Sequence, residues 1–304
     1  MINIKFQNVF ACLISLLLAN SVFAQQLAIT MDNPTTKNST MISNKAIDKS
    51  ILNALNKHNL KIILFVQGEQ VDSKDGHALL ERWRAAGHAF GNHTYSHHNL
   101  NSIPEPLAED DTLRNETFLS SYDNFKRVFR FPFLKEGDTQ TKRDAFRKFL
   151  ASHDYVNGSV TIDASDWYIN DRLEEKLLQN PNADLNKYKK YYLDHLWSRA
   201  QYYDKLAKKV LGHSPKHTLL VHHNLLNALF LDDAIQMFED KGWHVINADT
   251  AFNDPVFKQT PNAIPAGESL IWSLAKQSKR YDSQLRYPGE DSSYEKPLMD
   301  KLGL

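Results

Sequence analysis

Cysteine is almost absent from this sequence of 304 residues, since Cys12 is the only one. Cys12 lies in an N-terminal segment that we expect to be removed, so the mature chain should have neither disulfides nor thiol chemistry. Net charge is absent as well, because 36 Lys and Arg balance 36 Asp and Glu. Without a basic excess there is no sign of a nucleic-acid partner, and without an acidic excess there is no sign of a solvating tail.

Internal repeats and low-complexity tracts are also missing, which excludes solenoid and fibrous architectures. What remains is an ordinary globular composition, with 42% hydrophobic and 24% charged residues. That content is enough for a sizeable core, and α/β barrels of about this length form a single domain.

The first residues have the pattern of a signal peptide. Lys5 is the only charged residue before Asp32, residues 9–19 form an apolar run, and residues 22–24 (VFA) offer small side chains at the spacing of a cleavage site. We therefore expect residues 1–24 to be a signal peptide and the protein to be secreted or periplasmic. The alternative is a retained anchor, but the run is short for a membrane span, so we expect no stable span after processing.

Apolar strands alternate with amphipathic helical stretches along the rest of the chain. The predicted strands are residues 27–30, 61–66, 89–91, 125–131, 159–162, 218–221 and 243–246. This alternation predicts an α/β fold with a mostly parallel sheet, built as a deformed barrel of seven or eight parallel strands.

Three regions divide the chain after the signal peptide. Residues 25–253 form the predicted catalytic domain, and a charged helical segment at about residues 171–212 is inserted into it. Residues 254–304 form a C-terminal extension, in which residues 269–275 (SLIWSLA) can dock as one helix and the remainder has the composition of a tail.

Polar side chains follow the predicted strands repeatedly, and chemistry in parallel barrels collects at the carboxyl ends of strands. The groups are Asp32-Asn33, residues 92–97 (NHTYSH), residues 129–132 (FRFP), residues 163–167 (DASDW) and residues 222–224 (HHN). Each group alone could be accidental, but together these side chains are typical of a hydrolytic metal site.

His93 and His97 are the best candidates for metal ligands. A spacing of four brings two imidazoles onto one ion if the segment is helical or tightly turned. The alternative is a pair of hydrogen-bonded loop histidines, which is common in a chain with 13 His. His98 offers a competing pairing, and we expect it to be exposed or to lie behind the ligands.

Five motifs in order resemble those of the polysaccharide deacetylases, the NodB-homology group of carbohydrate esterase family four. They are residues 30–33 (TMDN), 87–97 (GHAFGNHTYSH), 130–133 (RFPF), 163–167 (DASDW) and 220–222 (LVH). The resemblance spans about residues 27–250. It implies a deformed (β/α) barrel that hydrolyses acetyl groups on sugars, with an acetylated polysaccharide or oligosaccharide as partner.

The resemblance also implies roles for single residues. His93 and His97 would bind a divalent ion, most often zinc and sometimes cobalt or nickel. Asp32 would be the catalytic base and would be paired with Arg130. His222 would be the general acid that protonates the leaving amine.

Further roles follow from the same motifs. Asp166 would keep His222 oriented and protonated, and the backbone N–H of Phe133 would help to stabilise the oxyanion. Trp167 and Leu220 would form the walls of the acetyl pocket. His222 and His223 face opposite ways on a strand, and Leu220 shares the face of His222, so His223 should point away from the site.

The sequence departs from the family at Asn33, where the third metal ligand is usually Asp. An amide oxygen is a weaker ligand than a carboxylate, so we expect a lower metal affinity.

Three functions are compatible with these residues. The first is an N-deacetylase that acts on a chitin-like polymer, peptidoglycan or an exopolysaccharide. The second is an O-acetyl esterase that acts on acetylated hemicellulose. The third is a non-catalytic carbohydrate-binding protein with a decayed site, which only Asn33 favours.

Overall fold

The computed structural model of the protein describes residues 24–304. The predicted signal peptide, with Cys12, lies outside the described residues except for Ala24. The strands are β1 (Gln26–Asp32), β2 (Ile63–Val66), β3 (Ala89–Asn92), β4 (Phe125–Phe129), β5 (Lys135–Gly137), β6 (Val156–Asn157), β7 (Lys216–His222), β8 (His244–Ile246) and β9 (Ala266–Gly267). The helices are α1 (Asn44–Lys57), α2 (Gly68–Val71), α3 (Lys74–Ala85), α4 (Glu105–Leu119), α5 (Gln140–Ser152), α6 (Asp166–Gln179), α7 (Leu185–Leu211), α8 (Leu225–Asp240), α9 (Ala248–Phe252), α10 (Leu270–Ser278) and α11 (Ser292–Leu302).

The main sheet is parallel and curled, as the alternation of strands and helices predicts. Its strands run in the order β6-β4-β3-β2-β1-β7, and β8 pairs with the first residues of β1. β2 is a continuous apolar run (ILFV) that is buried along its whole length, as expected for a parallel strand covered on both faces. The fold class is therefore confirmed as α/β, with seven parallel strands in a partly closed barrel.

One short segment joins the two edges of the sheet. The N–H of Gly158, just after β6, donates to the carbonyl of Phe129 at the end of β4, at 2.7 Å. Three residues later, the N–H of Thr161 and then of Ile162 donate to Thr218 in β7. The prediction of a full strand at residues 159–162 is wrong, since only Ile162 forms a bridge. Residues 158–162 cross from the β4 edge of the sheet to the β7 edge, so they bond to a strand only at their two ends.

Helices α6 and α7 occupy the predicted insertion, and residues 180–184 separate them. α6 begins at Asp166, earlier than the predicted start near residue 171. α7 is 27 residues long and ends at Gly212, whose φ of 84° lies in the left-handed region that favours glycine. Its apolar face is covered by α8 and α10.

The C-terminal extension is not a tail, which corrects the sequence-based expectation. α10 is buried through Leu270, Ile271 and Trp272, and α11 adds a further helix. β9 pairs antiparallel with β5 beside the end of β4. The extension therefore packs on the barrel at the end where the strands finish. Among residues 24–304, no helix combines the length and the apolar character needed to cross a bilayer.

Candidate active site

The carboxyl ends of β1 and β7 bring two candidate catalytic groups together. Asp32 is the last residue of β1, and it is the register partner of His222, the last residue of β7. In a parallel pair both residues stand at the same level of the sheet. Two side chains that are 190 positions apart in the sequence therefore reach the same pocket.

Asp32 is paired with Arg130, as the sequence analysis expects. Arg130 Nη1 lies 3.1 Å from Asp32 Oδ1 and 3.3 Å from Oδ2, and both residues are at most 2% exposed. The guanidinium also donates to Thr30 Oγ1 and to the carbonyl of Gly158, and it lies over the ring of Phe65. Burial raises the pKa of Asp32, and Arg130 opposes this rise. Asp32 is thus held as a buried, directed carboxylate.

The histidine pair sits in a tight turn rather than in a helix. His93 follows β3 directly, and both Thr94 and His97 adopt a positive φ, of 61° and 57°. The N–H of His97 donates to Thr94 Oγ1, which closes the turn. As a result the Nε2 atoms of His93 and His97 lie 3.1 Å apart, whereas His98 is exposed.

The chemistry of this pair fits a divalent metal ion. His93 Nδ1 lies 2.8 Å from the carbonyl oxygen of Arg130, so Nδ1 donates and Nε2 keeps its lone pair for an ion. Burial lowers the pKa of His93 to about 3, and burial followed by the charge of His93 lowers the pKa of His97 to about 3. Both rings are neutral at pH 7, as metal ligands must be. Nitrogens bound to one zinc, each about 2.0–2.1 Å from it, lie a little over 3 Å apart.

Asn33 stands next to the histidine pair. Its Nδ2 atom lies 3.5 Å from His97 Nε2, and its buried Oδ1 atom has no hydrogen-bond partner among residues 24–304. A half-turn of the amide would exchange these two atoms and would direct the oxygen toward the same point as the two imidazoles. Asn33 thus lies beside the histidine pair with a buried oxygen that no group among the described residues uses.

His222 is held by a buried carboxylate. Its Nδ1 lies 2.7 Å from Asp166 Oδ1, and its backbone N–H donates to Asp166 Oδ2 at 2.8 Å. Burial opposes a charge on the ring, but Asp166 outweighs burial and raises the pKa of His222 to about 9. His222 is therefore protonated at neutral pH, with its Nε2–H available to a ligand.

The pocket has a volume of about 460 Å³, and eight of the ten predicted site residues line it. Those eight are Asp32, Asn33, His93, His97, Phe133, Trp167, Leu220 and His222. Phe133 and Trp167 are 56% and 37% exposed at its mouth, while Leu220 is buried in its wall. Arg130 and Asp166 lie behind the pocket, each paired with the group that it orients.

Other residues that shape the site escape the sequence analysis. Asn92 accepts the N–H of Thr94, and Asp111 accepts the N–H of Ser96, so these two side chains fix the histidine turn. Asn227 donates to Asp166 at 2.8 Å. Asn92 lies within a motif quoted above, but no pattern marks Asp111 or Asn227, because their partners are remote in the sequence.

The C-terminal extension also reaches the pocket, which the sequence analysis does not predict. The lining residues that it contributes are Glu268, Pro288, Glu290 and Asp291. They precede α10 and α11, and they carry no local signal beyond a turn-forming Pro-Gly pair at residues 288–289.

A second group, His195, Glu290 and Glu295, has ligand-type atoms within 4.8 Å of one another. Both nitrogens of His195 are already used, because Nε2 accepts the N–H of Ser165 and Nδ1 lies 3.3 Å from Glu295. Arg199 and Arg286 also approach the two glutamates. We therefore interpret this group as a buried ion-pair network.

Fold and site together define an α/β barrel whose strand ends carry a histidine pair that fits a divalent metal ion, beside a buried carboxylate and a charged imidazole. The family model "Polysaccharide deacetylase" matches residues 23–151, the segment that holds Asp32, His93, His97 and Arg130. The resemblance to the polysaccharide deacetylases that the motifs predict is therefore confirmed over this segment. Asp166 and His222 lie beyond the matched segment.

A curated relative and several solved structures are similar to this chain. A peptidoglycan-N-acetylglucosamine deacetylase of Bacillus cereus is 27% identical over 118 residues, which are 38% of this chain and 40% of the relative. The chain thus matches about two fifths of that relative's length.

Among solved structures, the chitin deacetylase of Colletotrichum lindemuthianum superposes with a TM-score of 0.53 and 17% identity, over 76% of this chain and 90% of that one. BA3943 of Bacillus anthracis, described as a family four pseudoenzyme, gives a TM-score of 0.51 and 18% identity, over 76% and 66% of the two chains. These likenesses show the fold, which active and inactive proteins share.

Proposed function

We propose that this protein is a metal-dependent deacetylase that removes acetyl groups from an N-acetylated polysaccharide. The observation that carries the proposal is one pocket lined by Asp32, His222 and the histidine pair. Behind it, Arg130 pairs with Asp32 and Asp166 pairs with His222. The B. cereus relative, which is named as a peptidoglycan deacetylase, supports this class of substrate.

The metal would be held by His93 and His97, with Asn33 as the third ligand, and we propose zinc. A bound divalent ion would act as a Lewis acid toward water and the acetyl oxygen. Asp32 would accept a proton from the attacking water, and Arg130 keeps that carboxylate directed into the pocket. His222 would donate its proton to the nitrogen of the leaving amine, which cannot depart as an anion.

The walls of the pocket would position the acetyl group. Leu220 offers a buried apolar surface for the methyl group, and Trp167 would cover it from the mouth. The backbone N–H of Phe133 would donate to the developing oxyanion. We further propose that the chain is exported through residues 1–24, which agrees with a polymer substrate outside the cell.

Acetate release tests the proposal. The purified protein would be incubated with N-acetylglucosamine oligomers, peptidoglycan and acetylated xylan, with added zinc and with a chelator. We expect zinc-dependent acetate release from the N-acetylated substrates. Release from acetylated xylan alone would indicate an O-acetyl esterase, and no release from any substrate would indicate a binding protein.

The Asp32→Asn variant distinguishes the loss of the catalytic base from the loss of the metal ion. The variant should lower kcat by about 10²-fold or more, the range expected for a missing general base, while zinc content stays unchanged. Arg130 would then be buried without its counter-charge, so circular dichroism must verify folding. Asp123→Asn is the matched control, because the side chain of Asp123 is 79% exposed. Near-normal turnover in a folded Asp32→Asn protein would remove Asp32 from this role.

A further inference from the structure

One side of the pocket is lined by carboxylates that the proposed mechanism does not use. Glu268 and Glu290 come from the C-terminal extension, and Asp163 comes from the residues just before α6. All three are at least nine-tenths buried, with residue exposures of 7%, 9% and 7%. We refer to these three residues as the acidic wall.

Positive charge compensates only part of the acidic wall. Lys135 pairs with Glu268, and Arg199 and Arg286 approach Glu290 to 3.3 and 3.6 Å. Among the described residues, Asp163 accepts one hydrogen bond, from the backbone N–H of Ala164 to Oδ1 at 2.9 Å. Within residues 24–304, no Lys, Arg or His nitrogen lies within 4 Å of its carboxylate.

One oxygen of the acidic wall also lacks a donor. Tyr203 donates to Glu290 Oε1 at 3.2 Å, and Arg286 Nη1 lies 3.6 Å from the buried Glu290 Oε2. The oxygen that no donor of the described residues approaches is Asp163 Oδ2. A buried carboxylate oxygen without a donor costs free energy, and a ligand that brings an N–H or O–H group recovers it. Burial raises the pKa of Asp163, the charges of Glu290 and Glu268 raise it further, and the more distant charge of His222 offsets only part of the rise.

A ligand that complements the acidic wall should therefore carry a positive charge and hydrogen-bond donors. We propose that Asp163 and Glu290 bind the ammonium group of a free amino sugar adjacent to the acetylated sugar, so that the enzyme prefers partly deacetylated chains over fully acetylated ones. This inference rests on the proposed deacetylase function. An acetamide or a hydroxyl at the same place would leave the charge of Asp163 uncompensated, whereas an ammonium group supplies three donors and a full charge.

Two oligosaccharide substrates of equal length test the preference. One is a fully acetylated pentamer of N-acetylglucosamine, and the other alternates acetylated and free amino sugars. We expect kcat/KM per acetyl group to be about tenfold higher for the alternating pentamer, equivalent to one additional charge-assisted contact. Added salt should reduce the ratio because it screens the attraction.

Asp163→Asn and Glu290→Gln keep the shape of each side chain and retain an acceptor oxygen. Each should reduce the ratio of the two kcat/KM values toward one, while the exposed Asp123→Asn control should keep it. If Glu290→Gln fails to fold, Asp163→Asn and the salt dependence of the wild type still decide the question.

Binding without turnover provides a second readout. A fully deacetylated glucosamine pentamer should bind the metal-free protein by calorimetry, more weakly in Asp163→Asn and at high salt. Equal acetate release from both pentamers, or a ratio that both variants leave unchanged, overturns the amine preference and leaves the deacetylase intact. No acetate release from either pentamer would instead contradict the proposed function.

Discussion

Asn33 is the residue at which the proposed metal site departs from the motif that the sequence resembles. An amide oxygen brings no negative charge to the ion, so a carboxylate at this position should bind zinc more tightly. We predict that Asn33→Asp raises zinc affinity in a chelator competition, with an unchanged or modestly altered kcat at saturating zinc.

Asn99→Asp is the matched control for this change. Asn99 lines the same pocket and caps a short helical turn through its side chain, and Asp can make the same cap. It adds the same charge on a side chain that is already used in this cap, where Asn99 Oδ1 accepts the N–H of Asn101, so it should have a smaller effect on zinc. If Asn33→Asp leaves zinc affinity unchanged, Asn33 does not face the ion, and another residue or water completes the site.

In the proposed mechanism, the protonation of His222 sets the alkaline limit of activity. Its pKa is raised from 6.5 to about 9, so the proton that the leaving amine needs is present at neutral pH. We predict that kcat falls as pH rises through about 9, and that Asp166→Asn moves this fall to lower pH because burial of the ring is then less opposed. If Asp166→Asn leaves the alkaline fall of kcat at the same pH, His222 is not the general acid.

The same shift affects stability. A histidine whose pKa is raised in the folded state favours folding fully below its free value of 6.5 and ceases to do so as pH rises through about 9. The free energy of unfolding should therefore lose this contribution between those two pH values, and Asp166→Asn should reduce the loss.

At the scale of the element, β7 directs neighbouring residues to opposite faces. His222 lines the pocket, whereas His223 is 3% exposed, lies 3.7 Å from Asp48 and contacts Trp83 edge-on. His223 therefore points away from the pocket, as the alternation of side chains along a strand predicts, and it is buried in the core.

We predict that His223→Ala lowers the free energy of unfolding by about 2 kcal/mol, because it leaves a cavity beside Asp48. Zinc content and kcat should change little. His244→Ala makes the same substitution at an exposed position of β8 and should be nearly neutral in denaturant unfolding. Loss of kcat at full stability in His223→Ala would instead place His223 in the reaction.

At the scale of the whole molecule, the C-terminal extension is a structural part of the site. Trp272 in α10 is 2% exposed and belongs to the main hydrophobic core with residues of α7. A chain that ends at residue 253 would expose that apolar surface and would lose Glu268 and Glu290 from the pocket. We predict that this chain binds a hydrophobic dye and unfolds with a broad transition, whereas the full chain unfolds cooperatively. An unchanged unfolding midpoint would show that the extension is an independent addition.

The sequence by itself determined the alternation of strands and helices, and therefore a parallel sheet whose carboxyl ends carry the chemistry. It also marked Asp32, His93, His97, Arg130 and His222, because each stands directly after an apolar strand or within a short motif. These features are local, and local periodicity and spacing are what a sequence displays.

Only the tertiary structure decided how residues 156–162 join the two edges of the sheet, since that segment pairs at its two ends and not along its length. It alone also showed that Asp111 and Asn227 anchor the site and that Glu268 and Glu290 reach the pocket from the extension. The physical reason is the same in each case. These contacts join residues that are far apart in the chain. The local sequence pattern of one segment does not identify the distant segment against which it packs.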